Sequence, residues 1–259
     1  MTTRKFWKMS GAGNDFVLIE GPARGAAALA RRLCDRRRSI GADGLLIVSR
    51  AGLRLRYVNA DGSETFCGNG SRCAAVWAAS RGWASGREFA FETSAGPLSA
   101  RLTSRGRAAI AMPTPKLLRE TFPVSAEGRR WLVSHWDTGV PHAVARVPNV
   151  ETVPVVAAGR ALRQHRAFGR AGANVDFVAV EAAGRRLRLR TYERGVEDET
   201  LACGTGVVAA AAAAQAFGWA RLPLAVVVRG GDTLRVSREQ GRTWLEGPAK
   251  ITFTGDVTL

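Results

Sequence analysis

The sequence has few of the residues on which several common scaffolds and cofactor sites depend. It holds only 4 cysteines in 259 residues and no Cys-x-x-Cys pair, which excludes a disulfide scaffold. Only four of the 38 Lys+Arg residues are lysines, so little room remains for a Schiff-base cofactor. No apolar run reaches the roughly 18 residues of a membrane span, and no secretory signal precedes the chain's first strand-like segment. We therefore expect a cytoplasmic protein with no membrane partner.

The charge is strongly basic but carried almost entirely by arginine. The net charge is +16, and the 34 arginines are scattered along the whole chain. A basic balance suits an acidic small molecule or a nucleic acid. The tryptophans show no interleaving with basic residues of the kind that stacks bases. We expect no nucleic-acid partner, and a non-enzymatic anion- or nucleic-acid-binding protein remains the remote alternative.

An internal repeat is the most informative feature of the chain. The segment from Tyr57 to Cys67-Gly-Asn-Gly recurs about 135 residues later, from Tyr192 to Cys203-Gly-Thr-Gly. In both copies a strand and an acidic loop lead into an alanine-rich helix. The repeat predicts two similar halves, the first carrying Cys67 and the second carrying Cys203.

The periodicity of each half predicts an α+β fold. Residues 54–58 and 186–190 alternate as half-exposed strands do, and helices are expected over about 69–81 and 205–217. We predict two pseudo-symmetric halves, each a curved, mostly antiparallel sheet around a central helix. The first half spans 1–113 and is completed by a C-terminal strand at about 250–259. The second spans 114–249, with 114–131 as the crossover, and a cleft between halves is the expected ligand site.

Two of the cysteines stand at predicted helix N-termini. The helix dipole and free N–H groups there favour a thiolate and predict a lowered pKa for Cys67 and Cys203. The other two, Cys34 and Cys73, fall at helical core spacing and are expected to pack. The N–H groups that could hold a carboxylate belong to Gly68, Asn69, Gly204 and Thr205.

A duplicated pair of such thiols suits one reaction class above others. If the halves face each other, one thiolate removes the proton α to a bound carboxylate and the opposite thiol returns a proton, which inverts the carbon. The two helix ends stabilise the enolate-like charge that develops between the steps. This chemistry requires no metal and no organic cofactor.

Specific motifs over essentially the whole chain resemble those of the diaminopimelate epimerase family. The motifs are Lys8-Met-Ser-Gly-Ala-Gly-Asn-Asp-Phe16, Gly41-Ala-Asp-Gly44, Asn59-Ala-Asp-Gly-Ser-Glu64, Cys67-Gly-Asn-Gly70, Gly139-Val-Pro-His142, Asn174-Val-Asp-Phe177, Tyr192-Glu-Arg-Gly195 and Ala202-Cys-Gly-Thr-Gly206. The resemblance implies an isomerase that interconverts LL- and meso-2,6-diaminopimelate without a cofactor. The product would serve the synthesis of lysine and of peptidoglycan precursors.

The resemblance also implies roles for individual residues. Cys67 and Cys203 would be the paired acid and base, and His142 and Glu193 would assist proton transfer beside them. Backbone groups of Gly68, Asn69, Gly204 and Thr205 would hold the reacting carboxylate. The distal amino-acid end would be read by Asn14, Asn59, Asn174, Glu193 and Arg194. A homodimer is implied as well, with Phe253 near its interface.

One position departs from the family pattern. Val140 stands where the family often has Asn, and valine offers no hydrogen bond to the distal end of the substrate. A racemase of another amino acid, such as histidine, therefore remains the nearest alternative. Phenazine-type isomerases of the same fold lack the cysteine pair and are disfavoured.

Overall fold

The computed structural model describes residues 3–84 and 86–258. The chain divides into two compact units, one made of Met1–Ala111 with Glu246–Leu259 and the other of Met112–Leu245. The first unit therefore includes a segment from the far end of the sequence. The ion pair between Arg107 Nε and Glu246 Oε1, at 2.8 Å, links that segment to the body of the unit.

The first unit contains two helices and most of its strands in one continuous stretch. Its helices are α1 (Ala26–Leu33) and α2 (Gly68–Ser80). Its strands are β1 (Thr3–Gly11), β2 (Asn14–Glu20), β3 (Gly44–Ser49), β4 (Arg54–Asn59), β5 (Glu88–Thr93), β6 (Gly96–Ser104), β7 (Arg107–Met112) and β17 (Lys250–Thr258), the last one pairing with β1.

The second unit repeats this plan. Its helices are α3 (Val155–Arg163) and α4 (Gly204–Ala216). Its strands are β8 (Lys116–Ala126), β9 (Arg129–Asp137), β10 (Pro141–Arg146), β11 (Asn174–Glu181), β12 (Arg186–Glu193), β13 (Asp198–Thr200), β14 (Leu224–Val227), β15 (Thr233–Glu239) and β16 (Arg242–Pro248). The last residues of β16, from Glu246 onward, belong to the first unit.

The pairing pattern of the strands is the same in both units. In the first, β17–β1, β1–β2, β3–β4 and β5–β6 are antiparallel, and β2–β3 and β4–β5 are parallel. In the second, β8–β9, β9–β10, β11–β12 and β14–β15 are antiparallel, and β10–β11 and β12–β14 are parallel. The predicted α+β class with two similar, mostly antiparallel halves is confirmed.

Each unit is built around one long helix. Helix α2 contacts β1, β2, β3, β4, β6 and β17, and α4 contacts β9, β10, β11, β12, β14 and β15. A helix surrounded by strands must be apolar or small on nearly every face. This requirement explains the alanine run from Ala209 to Ala214 in α4, of which only Ala212 is less than fully buried. The two helices predicted near 69–81 and 205–217 are thus confirmed, each beginning and ending one residue earlier.

The segment predicted as a crossover proves to be regular structure. Residues 116–126 and 129–137 form a β-hairpin of the second unit, so the prediction of a connection over 114–131 was wrong. The first half of β8 is exposed on both faces, and its side chains therefore carry no alternation that would mark a strand. No helix among the described residues is long and apolar enough to span a membrane.

Candidate functional site

Cys67 marks the point where an extended segment turns into the central helix of the first unit. It is the N-cap of α2, with extended φ and ψ of −136° and 109°, and its Sγ accepts from the Gly70 N–H at 3.4 Å. The N–H groups of Gly68 and Asn69 lie in the first turn of the helix. The half-buried thiol and these two N–H groups therefore share one helix end, as the sequence predicted.

A chain of amide hydrogen bonds connects Asn69 with Asn14. Arg72 Nη2 donates to Asn69 Oδ1 at 2.6 Å, Asn69 Nδ2 donates to Asn14 Oδ1, and Asn14 Nδ2 donates to Asp43 Oδ2 at 2.9 Å. The guanidinium only donates and the carboxylate only accepts, so both amides have one allowed orientation. The second N–H of Asn14 Nδ2 takes no part in this series of hydrogen bonds.

Charged residues hold the carboxylate end of that chain. Arg36 Nη2 lies 2.6 Å from Asp15 Oδ1 and 2.7 Å from Asp43 Oδ1, and Lys8 Nζ lies 2.6 Å from Asp15 Oδ2. Burial alone raises the pKa of Asp15, but the hydrogen bonds and charges of Arg36 and Lys8 outweigh it and lower that pKa to about 2. Asp15 is therefore ionised at neutral pH.

Asn59 lies at the end of β4, apart from this chain. Its Nδ2 donates to Ser63 Oγ at 2.8 Å, and Ser63 Oγ donates to Asp61 Oδ1 at 2.6 Å. The side chain is half-buried and keeps its Oδ1 outside these bonds. The structure places Asn59 opposite Gly44 in the β3–β4 register.

Cys203 occupies the matching position in the second unit but in a different environment. It is the extended N-cap of α4, followed by Gly204 and Thr205, and its Sγ lies 3.3 Å from Thr205 Oγ1. Burial raises the pKa of the Cys203 thiol well above its ordinary value, and the charges of Glu193 and Asp176 raise it further. The predicted low pKa at this helix end was wrong for Cys203, because burial and two carboxylates outweigh the helix dipole.

His142 lies fully buried on β10 beside two residues of β11. Its Nδ1 is 2.7 Å from Asp176 Oδ2, and its Nε2 is 3.4 Å from Asn174 Nδ2. Asn174 Nδ2 also donates to the Pro141 carbonyl at 3.2 Å, and its Oδ1 accepts from the backbone N–H of Arg194 at 2.8 Å. His142, Asn174 and Arg194 are thus brought together.

Glu193 and Arg194 follow each other at the end of β12. The carboxylate Oε2 of Glu193 accepts from Thr200 Oγ1 at 2.9 Å, and its charge acts on the Cys203 thiol. The half-buried guanidinium of Arg194 has no hydrogen bond or ion pair with any described residue. It is therefore free to pair with an anionic ligand.

The other two cysteines are packed, as predicted. Cys34 and Cys73 are buried, and burial raises the pKa of each thiol to about 12. Among residues 3–84 and 86–258, no three His, Cys, Asp or Glu side chains gather closely enough to hold a metal ion.

The sequence reasoning missed four polar residues that support the predicted ones. Asp176 and Thr191 lie behind His142, and Arg72 and Asp43 end the amide chain of the first unit. Asp176 stands between Val175 and Phe177 in a buried part of its strand, and Arg72 stands in an alanine-rich helix. A charged residue in a buried segment requires a partner, and that signal was available in the sequence.

Solved structures with the same fold come from several enzyme groups. A phenazine biosynthesis protein of the PhzF family from Bacillus anthracis matches with a TM-score of 0.78 and 13% identity, over 100% of both chains. A probable proline racemase from Agrobacterium radiobacter matches with a TM-score of 0.74 and 16% identity, over 99% of this chain and 93% of that one. At such identities the likeness shows the fold alone.

Sequence relatives are much closer. The family model described as diaminopimelate epimerase matches residues 6–118 and 135–252. The diaminopimelate epimerase of Chlorobaculum tepidum is 39% identical over 97% of this chain and 100% of the relative. That of Methanocella arvoryzae is 38% identical over 100% of this chain and 98% of the relative. The chain belongs to the diaminopimelate epimerase family.

Proposed function

We propose that this protein is an isomerase that interconverts LL- and meso-2,6-diaminopimelate with two cysteines as its acid and base. The observation that carries the proposal is the duplicated helix start, at which Cys67 and Cys203 each cap a central helix. The family relatives named diaminopimelate epimerase support the substrate. The reaction needs neither a metal nor an organic cofactor.

The reacting carboxylate is bound by helix N-termini. First-turn N–H groups and the positive end of a helix dipole attract an anion, and in this chain those groups belong to Gly68, Asn69, Gly204 and Thr205. The same donors stabilise the negative charge that moves onto this carboxylate when the α-proton leaves. Binding and catalysis therefore use one set of groups.

Proton transfer uses one thiol on each face of the α-carbon. In the half-reaction that starts from the buried Cys203 thiol, Cys203 donates its S–H proton while Cys67 accepts the α-proton as a thiolate. The C–H bond on one face breaks, a C–H bond on the other face forms, and the two cysteines exchange protonation states. His142 and Glu193 assist by returning the thiols to their starting states.

The distal amino-acid group is recognised by charge. Arg194 can grip a carboxylate with two hydrogen bonds, Glu193 can pair with an ammonium, and Asn14, Asn59 and Asn174 offer further donors and acceptors. Val140 supplies no hydrogen bond there. A lost neutral hydrogen bond costs about 0.5–1.5 kcal/mol, whereas a hydrogen bond to a charged group contributes about 1.5–3 kcal/mol, and Arg194 can make two of these to a carboxylate. The binding free energy from Arg194 and a distal carboxylate is therefore larger than the loss of one hydrogen bond at Val140.

We also propose a cytoplasmic homodimer that acts in lysine biosynthesis and binds no nucleic acid. Strand β17 is exposed at seven of its nine residues, and Phe253 is 51% exposed on it while touching Phe6 edge-on at 6.0 Å. An exposed strand with an aromatic side chain suits association with a second copy. Phe253→Glu should shift the protein toward monomer in sedimentation velocity, whereas Thr254→Glu on the opposite side of the strand should shift it less.

A substrate panel in deuterated water tests the function. LL-diaminopimelate, lysine, histidine and glutamate are incubated at matched concentrations, and α-deuteration and inversion are followed by NMR and chiral chromatography. LL-diaminopimelate should be turned over fastest, and Arg194→Gln should raise its KM. Faster turnover of any of the other three would overturn the assignment of diaminopimelate as the substrate, but not the two-thiol mechanism.

A further inference from the structure

Asp176 is a buried carboxylate to which the proposed chemistry assigns no part. It lies on β11 behind His142, and both side chains are 0% exposed. In the parallel β10–β11 register His142 is opposite Asn174, so Asp176, two residues further, points to the same face of the sheet. On β12 the residue opposite Asp176 is Thr191.

Both oxygens of this carboxylate accept a hydrogen bond. Oδ2 lies 2.7 Å from His142 Nδ1, and Oδ1 accepts from Thr191 Oγ1 at 2.7 Å. A carboxylate accepts hydrogen bonds and donates none, so the hydrogen of this contact belongs to Nδ1 of the imidazole. Both distances are short, as bonds to an ionised acceptor are.

The contact at the other ring nitrogen favours the same tautomer. Asn174 Oδ1 is occupied by the backbone N–H of Arg194, so the amide turns its Nδ2 toward His142 Nε2. Nδ2 carries only hydrogens, and a hydrogen on Nε2 would therefore oppose it. Asp176 at 2.7 Å and Asn174 at 3.4 Å thus both favour an imidazole with its hydrogen on Nδ1 and a lone pair on Nε2 that faces Asn174 Nδ2. The shorter contact with the charged Asp176 is the stronger of the two.

The geometry points to Asp176 as a positioning residue that holds His142 as the neutral Nδ1–H tautomer, so that Nε2 is the one ring nitrogen with a lone pair. A carboxylate hydrogen-bonded to Nδ1–H also fixes the orientation of the ring. The tautomer itself follows from contacts within one unit. Its use in catalysis rests on the proposed function.

The same carboxylate also acts on the thiol of the second unit. A Cβ placed on Gly206 would lie 2.4 Å from Asp176 Oδ1, so the carboxylate touches the first turn of α4, which Cys203 caps. Its charge is one of the causes that raise the pKa of Cys203. Asp176 therefore favours a resting state in which His142 can accept a proton and Cys203 holds one.

Histidine NMR tests the inference directly. The chain has only three histidines, so ¹⁵N-histidine labelling with long-range ¹H–¹⁵N spectra gives three ring patterns, and His142→Gln assigns one of them. The wild-type protein should show His142 as the Nδ1–H tautomer. A His142 pattern of the Nε2–H tautomer would overturn the inference without any variant.

Asp176→Asn then removes the charge but keeps the size of the side chain. Its amide can turn either oxygen or nitrogen toward the ring, so the single tautomer should be lost, and kcat should fall about 100-fold or more with a much smaller change in KM. Asp198→Asn, the same change at an exposed site on β13, should alter neither. A pure Nδ1–H tautomer in Asp176→Asn would show that Asp176 does not set it.

Thr191→Val tests the inference even if Asp176→Asn does not fold. Thr191→Val removes one hydrogen bond to the carboxylate and leaves the contact with His142, so the Nδ1–H pattern should persist; its loss would contradict the inference. If the tautomer changes in Asp176→Asn while turnover of diaminopimelate does not, the part of His142 in the proposed function fails and the positioning by Asp176 stands.

Discussion

The substitution Gly206→Ala should change the stability of the protein through two opposing effects, a gain in helix propensity and a steric clash. Gly206 is the third residue of α4, and a Cβ there would lie 2.4 Å from Asp176 Oδ1 and 3.2 Å from Thr191 Oγ1. Ordinary contact for a Cβ begins near 3.4 Å, so about 1 Å of movement is needed. The atom in the way belongs to a carboxylate held by His142 and Thr191, which cannot move without breaking those bonds.

The two effects have opposite signs. Alanine in place of glycine stabilises a helix interior by about 1 kcal/mol. Weakening a hydrogen bond to a charged acceptor costs about 1.5–3 kcal/mol, and overpacking typically costs 1–3 kcal/mol. We expect Gly206→Ala to lower the free energy of unfolding by about 1–3 kcal/mol, which corresponds to a Tm lower by about 3–10 °C in a chain of this size.

Gly70→Ala is the matched control, at the same place in the first unit. There a Cβ would meet Leu46 Cδ2 at 2.9 Å, which is the end of an apolar side chain and not a hydrogen-bonded carboxylate. Its stability should stay within about 1 kcal/mol of wild type. Thermal unfolding followed by circular dichroism compares the two variants. A Gly206→Ala protein as stable as wild type, or more stable, would refute the packing described around Asp176.

Three further predictions concern thiols, charge and binding. Iodoacetamide at pH 8 should label Cys67 first, because the remaining thiols are buried and burial raises their pKa values, as peptide mapping can show for Cys34, Cys73 and Cys203. Asp15→Asn should cost about 1–2 kcal/mol in urea unfolding at pH 7; because the folded-state pKa is lowered to about 2, the difference should shrink as the pH falls from 4 toward 2, and a constant difference would contradict the ion pairs. Asp43→Asn should raise the KM for diaminopimelate about 5- to 20-fold with less effect on kcat, because the Asn14 side-chain amide could then rotate and exchange its oxygen and nitrogen. Unchanged steady-state kinetics would exclude a role of Asp43 in orienting Asn14.

Most of the fold could be predicted from local sequence patterns. The capping positions of Cys67 and Cys203 and the alternation of β4 and β12 depend on neighbouring residues, and sequence periodicity reports such features directly. The hairpin of β8 and β9 was missed because exposed positions on both faces of β8 leave no alternation. The two similar halves followed from the repeat itself.

The support of the candidate site depended on long-range register. His142 and Asp176, which are 34 positions apart in the sequence, meet only because β10 and β11 pair in parallel. The raised pKa of Cys203 likewise arises from burial and from carboxylates on β11 and β12. An argument from the helix dipole alone could include neither contribution. Residue types at motif positions were therefore predictable, and their electrostatic environment was not.

The two-thiol mechanism is tested most directly by α-hydrogen exchange in single-cysteine variants. Wild type, Cys67→Ala, Cys203→Ala and the packing control Cys73→Ala are incubated with LL-diaminopimelate in deuterated water, after their Tm values show that each is folded. Wild type and Cys73→Ala should produce the meso form with deuterium at the inverted carbon. Neither Cys67→Ala nor Cys203→Ala should give net inversion, and near-normal inversion by either one would contradict the mechanism.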